Sequence, residues 1–111
     1  MKVEILTTTN FRKAAERLLK KYPSLKNDLI ELQNQLNLKP TLGSPLGGNC
    51  YKIRLAIKSK GKGKRGGARV ITHLVITIDE HKIYLIAIYE KSEFDTISDK
   101  ELKRMIKDLK Q

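Results

Sequence analysis

The sequence predicts an α+β domain: a small antiparallel β-sheet with an N-terminal helical hairpin and a C-terminal helix packed on it. Three observations carry this. Residues 11–38 repeat apolar side chains at helical spacing with one short break, residues 51–58, 68–78 and 82–91 alternate or are β-branched, and residues 97–102 read as a complete helix start. At 111 residues the chain makes one domain, 1–111, with a single core of Leu, Ile and Val.

Val3–Leu6 is a short β-prone run ended by three threonines, and predicts an edge strand. A threonine or Asn10 can cap the helix that follows, whose apolar positions are Phe11, Ala14, Ala15, Leu18, Leu19 and Tyr22. Pro23 breaks it. Ser24 then caps a second helix with Leu25, Leu29, Ile30, Leu32, Leu36 and Leu38 as its stripe, ended by Pro40. So short a connection folds the two helices into an antiparallel hairpin.

Residues 41–49 are rich in Gly and Pro and read as turns. Tyr51, Ile53, Leu55 and Ile57 then alternate with Lys52, Arg54, Ala56 and Lys58, a half-buried strand with a basic face. After a loop of Lys and Gly, residues 68–78 are apolar on both faces, as a central strand would be. Asp79, Glu80 and His81 turn the chain, and residues 82–91 return beside it. Ser98 and Glu101 have capping-box spacing and Ile97 and Leu102 that of a hydrophobic staple, opening the last helix. The predicted order is β-α-α-β-β-β-α.

Charge singles out one segment. No Asp or Glu occurs between Glu31 and Asp79, an interval holding nine of the cations behind a net charge of +11. A cationic field so concentrated attracts a polyanion, nucleic acid first. The loop residues Lys58, Lys60, Lys62, Lys64 and Arg65, with His73, are the expected RNA-binding set. A basic loop kept only for solubility is the plain alternative.

Other chemistry is poorly supported. One cysteine, Cys50, forms no internal disulfide, and the start of the chain lacks a signal peptide's apolar run, so a cytoplasmic protein is expected. No membrane span, metal site or cofactor is expected. Cys50, His73 and His81 are not at ligand spacing; a nucleophilic pair of Cys50 and His73 has no local support, and Cys50 and His81 read as structural. Gly61, Gly63 and Gly66 spell G-x-G-x-x-G, but a β-branched run follows where a dinucleotide site needs a helix.

Strand parity defines the candidate site. Lys52 and Arg54 point one way from their strand, Arg69 opens the next, and Lys91 shares a face with Tyr89 on the third. If these faces coincide, five side chains converge. Such a surface suits metal-free RNA cleavage, in which a 2′-hydroxyl attacks phosphorus: arginine stabilises the phosphorane, lysine moves protons, and Tyr89 stacks on a base or donates a proton.

NCYKIRL at 49–55, GKGKRGGARVITH at 61–73 and IAIYEKSE at 86–93 resemble the RelE/ParE superfamily of toxin–antitoxin toxins, the loop being most like its HigB-type branch. The resemblance implies a type II toxin that cuts mRNA on the ribosome without a cofactor and is neutralised by a cognate antitoxin, operator DNA being bound only through the antitoxin complex. It matches Lys52 and Arg54 to the basic pair of the family's strand, Arg69 to its phosphate-stabilising arginine and Lys91 to a basic position near the strand end. The tyrosine that RelE proper places near the C-terminus is absent, Ile97 lying about there, which leaves Tyr89 or His73 to substitute. The ParE branch, which poisons DNA gyrase and generally lacks the basic set, is the alternative of the same fold; a non-catalytic basic module that binds RNA or the ribosome is the alternative of another class.

Overall fold

The computed structural model describes residues 2–93 and 97–109. Nine elements follow in order: β1 (Lys2–Thr7), α1 (Thr9–Lys21), α2 (Leu25–Leu38), β2 (Ser44–Gly47), β3 (Cys50–Leu55), a 3₁₀ turn (Lys58–Lys60), β4 (Ala68–Ile76), β5 (Glu80–Glu90) and α3 (Asp99–Leu109). The sheet runs β1-β5-β4-β3-β2. The α+β architecture expected from the sequence is present, with β1 at an edge and β4 in the centre.

Two features correct the expected sheet. It is mixed rather than antiparallel, because β1 pairs parallel with β5 from Lys2 opposite Glu80 to Thr7 opposite Leu85. It also gains β2, from a segment that reads as turns. Gly48 and Asn49 both have positive φ, 60° and 59°, the backbone of a two-residue hairpin turn whose twist matches its strands. Pro45 is tolerated because β2 is an edge strand, with solvent on its outer side.

The helices divide the sheet's two faces. Leu18, Leu25, Leu32 and Leu36 from the hairpin pack with Ile53, Val70, Leu74, Ile83 and Ile88. Leu25 and Leu36 are fully buried, each contributing on the order of 2 kcal/mol. On the other face Leu102 of α3 packs with Cys50, Ile71, Ile86, Ala87 and Tyr89. This double cover is why β4 is apolar on both sides. The buried positions of α2 are Leu25, Asp28, Leu32 and Leu36, so Ile30 and Leu38 of the expected stripe face solvent instead.

Caps follow the sequence in part. Thr8 Oγ1 accepts from the Phe11 N–H at 3.1 Å, closing the start of α1. Ser98 Oγ accepts from the Glu101 N–H at 3.2 Å, half of a capping box; the Glu101 carboxylate turns to Arg104 instead. Ser24 is no side-chain cap: its hydroxyl donates to Asp28 Oδ2 at 2.8 Å and meets the Ser59 hydroxyl at 2.9 Å. The turn after β4 forms at Thr77–Glu80, where the Thr77 N–H donates to the Glu80 carbonyl at 2.9 Å, so β4 stops at Ile76 and Ile78 is exposed at the tip.

Candidate nucleic-acid interface

Register brings the predicted residues into rows. Arg54 pairs with Arg69, and Arg69 with Tyr89; Lys52 pairs with Ile71; Cys50 pairs with His73. The basic faces of β3 and β4 therefore coincide, as parity requires.

Depth then separates them. Lys52 is half-buried and Arg54 exposed, and both line a cleft of about 430 Å³ with Lys64, Gln35 and Ser44. No carboxylate lines it among the described residues, so the field there is cationic throughout. A smaller hollow of about 100 Å³ adjoins it at Arg54 and Lys64, with Asp28, Glu31 and Lys58 on its far side. Lys58 is paired with Glu31 at 3.3 Å, an exposed bridge worth at most about 1 kcal/mol.

Arg69 and Tyr89 are each 3% exposed and lie beneath this surface. The Arg69 guanidinium is turned to the loop's own backbone: Nη1 donates to the carbonyls of Lys64 at 2.9 Å and Ala68 at 3.0 Å, and Nη2 to that of Arg65 at 3.3 Å. Among the described residues no carboxylate pairs with it. Its charge is met by carbonyl dipoles instead, a set that a planar fork satisfies and a single ammonium does not.

Three expectations are corrected here. Lys91 lies beyond the end of β5 and does not join Lys52 and Arg54; its N–H donates to the Gly67 carbonyl at 3.1 Å, and its side chain lines a second cleft with Lys62 and Arg65. His73 is 8% exposed on the face that α3 covers, with Nδ1 3.3 Å from Cys50 Sγ, so it is not on the open basic surface. Lys60 is no free cation: its ammonium donates to Glu90 at 3.0 Å. The Cys50–His73 proximity does not make a nucleophile, because burial pushes the thiol up to about 11.

Glu90 is the residue that sequence reading missed. It is 5% exposed at the end of β5 and accepts from Tyr22, from Lys60 and from Lys21 at 3.2 Å. Burial alone raises a carboxyl, but the hydrogen bonds from Tyr22, Lys60 and Lys21 prevail and hold it down at about 2. The signal lay in parity: Glu90 faces opposite to Tyr89, toward the basic end of α1. Asp28, 2% exposed, acts likewise on the neighbouring turn, accepting the Lys58 N–H at 3.2 Å. The root of the basic loop is thus bolted to the corner of the helical hairpin.

The end of the loop needs glycine for want of space. A Cβ on Gly67 would lie 2.1 Å from the Leu55 carbonyl, so the close approach is by the chain's own β3 rather than by a ligand. Among the described residues no three His, Cys, Asp or Glu side chains are placed to hold a metal ion, and no helix is long and apolar enough to cross a membrane.

Fold and cleft together define a small basic α+β domain whose sheet carries a cationic cleft with no carboxylate among the described residues. The chain belongs to the RelE toxin family: residues 4–110 match the model of the family described as RelE toxin of RelE / RelB toxin-antitoxin system. It is accordingly a RelE/ParE-superfamily toxin of a toxin–antitoxin system, a membership that implies a cognate antitoxin as partner. Toxins of this family are generally endoribonucleases.

Proposed function

We propose that the protein cuts mRNA on the ribosome as a metal-independent endoribonuclease, in the cytoplasm, until its antitoxin neutralises it. The observation that carries this is the cleft lined by Lys52, Arg54 and Lys64, with no carboxylate among the described residues. Its ammonium and guanidinium donors suit phosphate oxygens. In the reaction the 2′-oxygen loses its proton and bonds to phosphorus, and the P–O5′ bond breaks as that oxygen gains a proton. Arg54 is the exposed fork that meets the phosphorane, and Lys52 is the group beside it able to move a proton. Arg69 supports them from below by fixing the Lys64 backbone, and it reaches a phosphate itself only when residues 62–66 lift.

A second reading draws on the burial of Arg69 and Tyr89, which leaves two of the five expected catalytic groups out of a ligand's reach. It is a non-catalytic module that grips RNA. Mapping message 5′ ends after adding the protein to translating ribosomes separates them. New ends that vanish with Lys52→Ala/Arg54→Ala, a fall of about 10²-fold or more, support the nuclease. Binding with an intact message supports the module, and DNA damage signalling without RNA ends would point to gyrase.

A further inference from the structure

The basic loop stands between two clefts, and only one of them is used by the reaction proposed above. The second is also about 430 Å³ and is lined by Lys60, Lys62, Arg65 and Lys91 with Gly66 and Ser92. Lys60 is committed to Glu90. Lys62, Arg65 and Lys91 are exposed, and none makes an ion pair or side-chain hydrogen bond with the described residues. No carboxylate and no aromatic ring lines the cleft among those residues.

Lys64 and Arg65 are neighbours in sequence yet line different clefts. Both backbones are fixed, because Arg69 holds the carbonyls of each, and the loop's root is pinned through Lys60 and Glu90. The backbone that joins the two clefts is therefore braced, with one cation lining each.

We propose that the Lys62–Arg65–Lys91 cleft is a second phosphate-binding subsite, which holds the backbone of the same RNA strand whose scissile phosphate lies in the Lys52–Arg54 cleft. Among the described residues the lining offers cations and no stacking ring, a set that grips phosphate rather than reads bases, so the subsite adds affinity without sequence preference. Its occupant is a phosphodiester of single-stranded RNA. The assignment rests on the nuclease reading for the first cleft, but its test does not require cleavage.

The probe is fully 2′-O-methylated RNA, which cannot be cut, in lengths of about three and about twelve nucleotides, the longer able to cover both clefts. Binding to the full chain is followed by fluorescence anisotropy over a range of salt. Arg65→Ala/Lys91→Ala is expected to weaken the longer RNA about tenfold and to flatten its log–log salt slope by about 1.4, two single-strand phosphate contacts, while leaving the short RNA unchanged. Lys52→Ala/Arg54→Ala is expected to weaken both lengths. Equal losses for short and long RNA from Arg65→Ala/Lys91→Ala would reduce the effect to overall charge and overturn the subsite. So would an unchanged affinity for the longer RNA, and an oligoglutamate peptide that alone loses affinity would give the cleft to an acidic protein instead. If ribosome assays show no cut ends while these binding results hold, the nuclease reading fails and the subsite stands.

Discussion

Arg69 donates to the backbone carbonyl of Lys64 at 2.9 Å, so the buried cation of the basic segment orients an exposed one. The guanidinium reaches three carbonyls from a single buried position, and no other side-chain type could replace it there.

Arg69→Lys should therefore fail to restore the loop although it keeps the charge. Losing bonds from a charged donor and leaving carbonyls unmet is expected to destabilise the fold by about 2–4 kcal/mol. Arg69→Ala should destabilise the fold as well, because the guanidinium is buried and holds the loop's carbonyls. Urea unfolding measures the loss, and amide exchange across 62–67 should quicken; wild-type exchange in Arg69→Lys would show that the loop is held by something else.

Glu90 gives the protein an acid-sensitive clamp. Its carboxyl is depressed from 4.5 to about 2 in the folded chain, so the folded state binds fewer protons than the unfolded one between those values. Its contribution is complete above about 4.5 and disappears as pH falls toward 2. Wild type should melt above Glu90→Gln at neutral pH, with the gap closing across that window. A gap that stays constant down to pH 2 would rule the clamp out.

Cys50 is expected to resist alkylation in the native protein, since it is 1% exposed and burial raises its thiol to about 11. Mass spectrometry after iodoacetamide treatment should find it modified only once the chain unfolds. Cys50→Ala should cost about 1 kcal/mol of stability and keep toxicity. Prompt labelling at neutral pH would contradict its burial beneath α3.

Two glycine substitutions separate space from conformation. Gly67→Ala sets a methyl 2.1 Å from the Leu55 carbonyl and must part β3 from β4, so a loss of more than about 3 kcal/mol is expected. Gly61→Ala meets open space and bears only the strain of its φ of 75°, about 1 kcal/mol. Chemical denaturation of both variants checks the order, and equal losses would refute it.

Periodicity revealed most of the fold because it reports on burial. Alternation in residues 51–58 and double-sided apolarity in 68–78 marked β3 and β4, each overrunning its end: β3 stops at Leu55, before the 3₁₀ turn at Lys58–Lys60, and β4 at Ile76, while Ser98 marked the start of α3. β2 was hidden because Pro45 and three glycines speak against a strand, while the Gly48–Asn49 turn that creates it is a matter of φ rather than hydropathy. Parity put Lys52, Arg54, Arg69 and Tyr89 on one face, but parity carries no depth. Whether a guanidinium meets solvent or folds under its own loop depends on carbonyls contributed by Lys64 and Arg65, a local geometry that no spacing rule encodes. Lys91 was misplaced for a simpler reason: β5 ends one residue before it, and alternation stops with the strand.

The parallel pairing of β1 with β5 joins the first strand of the sheet to the last. Lys2 lies opposite Glu80, and Asn10 Nδ2 donates to the Ile86 carbonyl at 3.2 Å. During synthesis β1 must wait unpaired while the whole hairpin, the basic loop and β4 emerge. Loop closure over such a span is slow. The sheet whose β3–β4 ladder carries Lys52, Arg54 and Arg69 therefore closes its far edge last, when β5 emerges to meet a strand made at the very start.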